Sequence, residues 1–100
     1  MITSKQRSYL MRLAQTENAI FQIGKSTLTP EVTEAIDEAL TARELVKINM
    51  LKNCDADLRE VAGMLSERTH SEVVQIIGRK IILFRRNHQK GKIVFPGEKA

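Results

Sequence analysis

Residues 73–84 read VVQIIGRKIILF, and this stretch decides the fold that the sequence predicts. Two apolar runs, 73–77 and 80–84, flank the dipeptide Gly78-Arg79. Apolar, β-branched runs joined by a two-residue turn that contains glycine are typical of a β-hairpin. The chain is therefore expected to contain an antiparallel pair of strands, whose apolar faces other elements must cover.

The sequence upstream of this hairpin predicts three helices. Thr3 and Gln6 fit a capping box, which opens a helix reaching to about residue 15. Thr29 followed by Pro30 is a strong helix start, and the helix carries apolar residues at helical spacing. Asp55 can cap a third helix with an apolar stripe of its own. The stripes of the second and third helices are Val32, Ile36 and Leu40, then Leu58, Val61, Ala62 and Leu65.

Two further strands lie between the helices. Residues 19–23 form a short apolar run that Gly24 closes, as expected of a buried strand. Residues 44–51 alternate, with Val46, Ile48 and Met50 on one side, which is the pattern of a strand with one buried face. The order α-β-α-β-α-β-β predicts one α/β domain, a two-layer or sandwich arrangement with helices on one or both faces of a sheet.

Composition and length fit a single soluble domain. The chain has 100 residues, of which 42% are apolar and 28% charged. No window approaches the roughly 18 apolar residues of a membrane span, and the first seven residues lack the apolar core of a signal peptide. A single cysteine, Cys54, cannot form an internal disulfide, so we expect a cytoplasmic protein that does not contact membranes.

The charge is distributed unevenly along the chain. The net charge is +4 overall, but residues 1–30 carry +3, residues 31–84 carry −3 and residues 85–100 carry +4. Basic ends around an acidic middle suit a protein with one face that meets a polyanion and another that repels it. A basic tail that only keeps the protein in solution is the alternative.

The segment 23–30 leads from a strand through a short loop into a helix start. Such a loop points backbone N–H groups and the positive end of a helix dipole outward, which favours a phosphate. A nucleotide-binding P-loop would need a glycine where Ala19 stands; an ordinary strand-to-helix turn remains an alternative. The predicted phosphate-binding residues of the loop are Gly24, Lys25, Ser26 and Thr27.

A second group of cations surrounds the last strand. Arginine suits phosphate because its planar guanidinium can form paired hydrogen bonds. Cations of this kind also protect an edge strand from aggregation, which is the alternative explanation. The predicted phosphate-binding residues here are Arg79 and Lys80 at the turn, then Arg85, Arg86, Lys90 and Lys92 towards the tail.

Catalysis finds little support in the sequence. His70 and His88 are far apart without the spacing of metal ligands, and we expect His70 to end the third helix. Cys54 has no visible base as a partner, and the acids near residue 57 complement a helix dipole. We therefore expect no enzyme, no metal site and no cofactor.

The motifs together resemble those of the bacterial stand-alone CRM (chloroplast RNA splicing and ribosome maturation) domain proteins, the YhbY family. The resemblance spans about residues 3–96 and is carried by the segments 13–14, 22–29, 36–40, 44–48 and 74–85. It implies a four-stranded mixed sheet, similar to the C-terminal domain of translation initiation factor three. It also implies RNA binding and association with precursors of the large ribosomal subunit.

Two positions depart from the family pattern. The family loop reads Gly-x-x-Gly, comparable to the loop with which KH domains clamp an RNA backbone, but Thr27 replaces the second glycine here. The tyrosine of the last strand is Phe84, which suggests that the ring packs and that no hydroxyl is needed.

Two functions follow as hypotheses. The first is a monomeric ribosome-assembly factor that binds RNA phosphates with an RNA-binding domain over residues 1–97 and with a basic C-terminal tail over residues 86–100. The second is a module that docks on a ribosomal protein or an assembly GTPase through its acidic helix, residues 31–44.

Overall fold

The computed structural model describes residues 2–24, 29–52, 56–87, 93 and 95. These residues contain three helices and four strands in the predicted order. The strands form one mixed sheet with the order β1-β2-β4-β3, in which β1 is parallel to β2 and the other pairs are antiparallel. The predicted fold class is confirmed. The elements are α1 (Ser4–Thr16), β1 (Phe21–Ile23), α2 (Pro30–Arg43), β2 (Leu45–Met50), α3 (Leu58–Thr69), β3 (Glu72–Ile77) and β4 (Lys80–Phe84).

The helix starts of α1 and α2 lie where the sequence predicts them. The capping box of α1 is complete, since the Gln6 amide donates to Thr3 Oγ1 at 3.1 Å and the Thr3 amide donates to Gln6 Oε1 at 2.9 Å. Thr29 caps α2 by accepting from the Val32 amide at 3.2 Å, with Pro30 at the first helical position. Both caps satisfy amides that the first turn of a helix leaves without partners.

The predicted cap of α3 is wrong. Asp57, rather than Asp55, is the N-cap: its backbone is extended and its carboxylate accepts from the Arg59 amide at 2.8 Å. Two acids, Asp55 and Asp57, directly precede this helix, and the backbone conformation selects the one that caps it. Asp55 lies outside the described residues, as does Cys54. At the other end of α3, His70 is the C-cap with φ 53°, as predicted.

Helices cover both faces of the sheet. On one face, α2 and α3 bury Ile36, Leu40 and Leu65 against the strands, together with Val46 and Ile48 of β2. The second face is covered by α1 and by Phe95, which form a smaller apolar cluster. The two inner strands, β2 and β4, contribute side chains to both clusters, so the molecule is a three-layer sandwich.

Chain direction gives the sheet two distinct ends. Residues 23 and 50 lie opposite each other, and so do residues 49 and 80, so the carboxyl ends of β1 and β2 share one end with the β3–β4 turn. We call this the hairpin end. The opposite end, where residues 45, 72 and 84 lie side by side, is called the tail end.

The residue predicted to begin β2, Glu44, instead ends α2. It is buried, with 1% of its surface exposed, and it has φ 67° and ψ −37°. A positive φ costs about 1–3 kcal/mol for a residue other than glycine. Its carboxylate accepts from the Asn87 amide at 2.7 Å and from the Ile93 amide at 2.8 Å. These bonds anchor the chain that follows β4 at the tail end.

Part of the predicted basic tail packs back onto the domain. Phe95 is 3% exposed, and its ring meets Tyr9 and Phe84 edge-on, with centroids 5.8 and 5.6 Å apart. Ring pairs of this geometry add to the free energy gained by burying apolar surface. The ring of Phe84 packs as predicted. The domain boundary at residue 97 remains a prediction.

Phe95→Ala should lower the free energy of unfolding by about 3 kcal/mol, because it leaves a cavity between α1 and β4. Urea unfolding followed by circular dichroism measures this change. Met64→Ala is the control, since Met64 is 39% exposed on α3 and should lose less than about 1 kcal/mol. Equal losses in the two variants would mean that Phe95 does not contribute to the core.

Candidate nucleic-acid interface

A series of hydrogen bonds connects the end of β1, directly before Gly24, to the turn between β3 and β4. The Leu51 amide donates to the Ile23 carbonyl at 2.8 Å, directly before Gly24. The Leu51 carbonyl in turn accepts from Arg79 Nη2 at 2.6 Å. Gly24 and Arg79, two residues of the predicted site, therefore lie on either side of Leu51.

The turn itself is fixed by its backbone and by one arginine. Gly78 has φ 58°, the left-handed conformation that favours glycine in a two-residue hairpin turn. Arg79 Nε donates to the Met50 carbonyl at 3.0 Å, while the Arg79 carbonyl accepts from the Met50 amide at 2.7 Å. Lys80, the next residue, is exposed. Arg79 thus fastens the turn to β2, and Lys80 extends into solvent beside it.

Two helices begin at the hairpin end. The chain enters α2 shortly after β1 and enters α3 shortly after β2, and both strands finish there. The positive ends of two helix dipoles therefore point towards this end of the sheet, which favours an anion. The predicted loop residues Lys25, Ser26 and Thr27 connect β1 to α2 but lie outside the described residues.

The sheet face on the α1 side also carries polar side chains at the hairpin end. Register places Gln22, Asn49 and Lys80 on one face at the hairpin end, since residue 49 lies opposite both other positions. Gln22 and Lys80 are exposed and Asn49 is half-buried. Nearby, Lys47 Nζ donates to the carbonyls of Ala14 at 3.1 Å and Glu17 at 3.3 Å, at the C-terminus of α1. Amides and cations of this kind suit a sugar-phosphate chain.

Arg85 lies elsewhere, at the tail end. It follows β4, six residues beyond Arg79 and therefore about 20 Å away at about 3.3 Å per residue. Its guanidinium donates to Asp37 of α2, both to the carboxylate and to the carbonyl, and also to Thr41 and to the Thr69 carbonyl of α3. The side chain joins α2, α3 and β4, with 22% of its surface exposed.

The remaining predicted cations follow Arg85. The Arg86 guanidinium carbon lies 5.0 Å from the centre of the Phe95 ring, in cation–π geometry. Lys90 and Lys92 lie outside the described residues, as does His88. Among the described residues, the predicted cations form two groups, Arg79 and Lys80 at the hairpin end and Arg85 and Arg86 at the tail end.

The acidic residues occupy the opposite layer. Glu31, Glu34 and Glu38 are exposed on α2, which covers the sheet face away from α1. Charge is therefore separated between the two outer layers of the sandwich. Among the described residues, no cluster of side chains could hold a metal ion. In the same part of the chain, no helix has the length and hydrophobicity needed to cross a bilayer.

Sequence reasoning missed the structural roles of two basic residues. Arg7 Nη1 donates to the carbonyls of Val73 at 2.8 Å and Val74 at 2.6 Å, where β3 bulges away from β4. Lys47 caps α1, as described above. These contacts join residues at least 30 positions apart, and neither the bulge nor the approach of α1 leaves a local signal in the sequence.

The chain matches the model of one protein family and is similar to proteins whose names describe RNA binding. A family model described as the CRS1/YhbY (CRM) domain matches residues 2–85. The probable RNA-binding protein YqeI of Bacillus subtilis is 38% identical over 96% of this chain and 100% of its own length. An RNA-binding protein of Haemophilus influenzae is 28% identical over 95% of each chain.

A solved structure has the same fold. The solution structure of the hypothetical protein SAV1595 from Staphylococcus aureus, a candidate RNA-binding protein, superimposes with a TM-score of 0.80. It is 42% identical to this chain, and the match covers 96% of this chain and 100% of SAV1595.

Arg85→Ala should destabilise the fold by about 2 kcal/mol or more, because it removes several hydrogen bonds to partly buried acceptors. Guanidinium unfolding gives the free energy, and Arg59→Ala, at an exposed position of α3, is the control at about 0.5 kcal/mol or less. Wild-type stability in Arg85→Ala would refute the structural role assigned to this side chain.

Proposed function

Because the chain belongs to the CRS1/YhbY (CRM) domain family, we propose that it is an RNA-binding protein whose main contact is the hairpin end. The proposed phosphate contacts are the loop residues Gly24, Lys25, Ser26 and Thr27, together with Arg79 and Lys80. Relatives that are similar over nearly their whole length carry names that describe RNA binding. This supports RNA as the polyanion in preference to other anionic partners.

One observation carries the location of the site: the hydrogen bonds from Ile23 through Leu51 to Arg79. They fix the start of the glycine loop beside a cationic turn, at the end of the sheet where two helix dipoles are positive. Phosphate contacts of this kind position RNA without reading its sequence. The protein is therefore expected to recognise backbone and shape first.

We assign the finer role from the family resemblance: association with precursors of the large ribosomal subunit during assembly, as a monomer. Structured ribosomal RNA offers an irregular backbone that a short loop can contact. Ultraviolet crosslinking in cells, followed by mapping of the crosslinked RNA, tests this role. Sites spread over messenger RNA, with none in large-subunit precursors, would contradict it.

The tail cations form a second proposed contact region. Arg86 follows β4 at the tail end, and Lys90 and Lys92, which lie outside the described residues, come after it in the sequence. Arg85 was predicted as part of this region, but its hydrogen bonds to α2 and α3 make it first a structural residue. An RNA that reaches both ends would have to cross the layer of α1.

The acidic layer favours a second candidate function, docking on a basic ribosomal protein or an assembly GTPase. Two acids of α2, Glu34 and Asp37, line a groove of about 510 Å³ together with Pro30, Thr33 and Arg68. RNase treatment of a lysate separates the two functions. Release from ribosomal particles indicates an RNA tether, whereas retention favours the protein contact.

Lys80→Ala should weaken RNA binding and make it less dependent on salt. With about six phosphates engaged, the log–log plot of affinity against salt should have a slope of about −4 to −5. Loss of one phosphate contact should reduce the magnitude of that slope by about one unit. Fluorescence anisotropy with a labelled structured RNA, measured over a series of potassium concentrations, gives both quantities.

Lys5→Ala is the matched control for this prediction. Lys5 is an exposed lysine in the first turn of α1, near the tail end, where the Ile2 amide donates to Glu72. Lys5→Ala removes the same charge at a distance from the hairpin end, the proposed main contact. A flat salt response in the wild-type protein, or equal effects of Lys5→Ala and Lys80→Ala, would contradict the location of the site.

A further inference from the structure

Ile77 is an exposed apolar residue that belongs to neither of the two apolar clusters described above. It is the last residue of β3, an edge strand, and 54% of its surface is exposed, more than for any other large apolar side chain among the described residues. Single exposed apolar residues are common on protein surfaces. Ile77 stands out because of its position beside Lys80, its partner across the hairpin.

Ile77 lines a groove between α1 and the hairpin, with a volume of about 350 Å³. Met11 and Gln15 of α1 form one wall, Gln75 and Ile77 of β3 form the other, and Ile82 forms the floor. Register agrees with this arrangement, since Gln75 and Lys47 both lie opposite Ile82 and share its face. Small-molecule sites begin at about 300 Å³, so the groove has room for one small ring system.

The chemistry of the groove matches a nucleobase. Its apolar walls can bury the faces of a planar ring, and the thioether of Met11 adapts to irregular shapes. Gln15 and Gln75 each carry an amide with both donors and an acceptor, which is what the edge of a base requires. No carboxylate and no aromatic ring is among the groove residues that the structure describes.

The charges beside the groove favour a nucleotide over a peptide. Lys47, Arg79 and Lys80 border it, and the same turn belongs to the proposed phosphate contact. A backbone held at the hairpin end would therefore pass beside the mouth of the groove. A base attached to that backbone has a short path into it, whereas a peptide would need acidic residues to match these cations.

We propose that this groove is a subsite for one unpaired nucleotide, whose base lies against Ile77 and Met11 and whose edge meets Gln75. The inference rests on the proposed RNA-binding function and adds to it a preference for single-stranded or unpaired RNA. It adds a base contact to the phosphate contacts that are proposed above.

Ile77→Ser tests the subsite. Anisotropy is measured with a labelled ten-nucleotide single-stranded RNA, with a ten-base-pair RNA duplex and with inorganic polyphosphate as a competitor that has no bases. The variant should bind the single strand about tenfold more weakly, since about half of an isoleucine side chain no longer becomes buried. The salt slope, the duplex affinity and the competition by polyphosphate should not change, because no charge is altered.

Met64→Ser is the matched control. Met64 is 39% exposed on α3, which covers the other face of the sheet, and it should leave all three affinities unchanged. Gln75→Leu keeps the size of the side chain and removes its amide. It should reduce any difference in affinity between oligouridine and oligoadenine, without changing the midpoint of urea unfolding by more than that of Met64→Ser.

The outcomes separate the inference from the proposed function. If Ile77→Ser binds the single strand as the wild type does, while Lys80→Ala lowers the salt slope, the base subsite is refuted and phosphate binding stands. If Ile77→Ser weakens duplex and polyphosphate binding equally, the effect is not on a base and the subsite is also refuted. If the wild-type protein binds no RNA in a salt-dependent way, the proposed function itself fails.

Discussion

The parallel pairing of β1 with β2 is the constraint on which the arrangement of the molecule depends. Two parallel strands cannot be joined by a tight turn, so the chain must cross back over the sheet, and α2 forms this connection. Both strands then finish at the same end, where the β3–β4 turn also lies. Gly24, the turn with Arg79 and Lys80, and the starts of α2 and α3 lie at this end because of the directions of the strands.

Three of the eight arginines of this protein hold the backbone in place. Arg7 fixes the bulge of β3, Arg79 fixes the hairpin turn, and Arg85 joins two helices to the sheet. In each case a planar, charged fork donates to carbonyl oxygens that regular pairing leaves available. Lysines such as Lys80, which are compact and strongly hydrated, are left to face solvent. A count of basic residues therefore overstates the charge that is directed at a ligand.

Local signals were sufficient for much of the fold and for less of the candidate site. The caps at Thr3 and Thr29 and the hairpin at Gly78 follow from neighbouring residues, and the structure confirms them. The role of Arg85 does not follow, because an arginine after a strand looks the same whether it faces RNA or a carboxylate 48 residues earlier. Side-chain partners distant in sequence are set by packing, which no short pattern encodes.

The cavity at the tail end is lined by both Ile2 and Phe95, residues from opposite ends of the chain. Ile2 and Phe95 therefore lie near each other at the tail end, away from Gly24 and the hairpin turn. If copies were joined by short linkers at these two positions, or if a permuted chain connected them, the hairpin end would stay uncovered. Joining domains at these positions would therefore require no change in the packing of their cores.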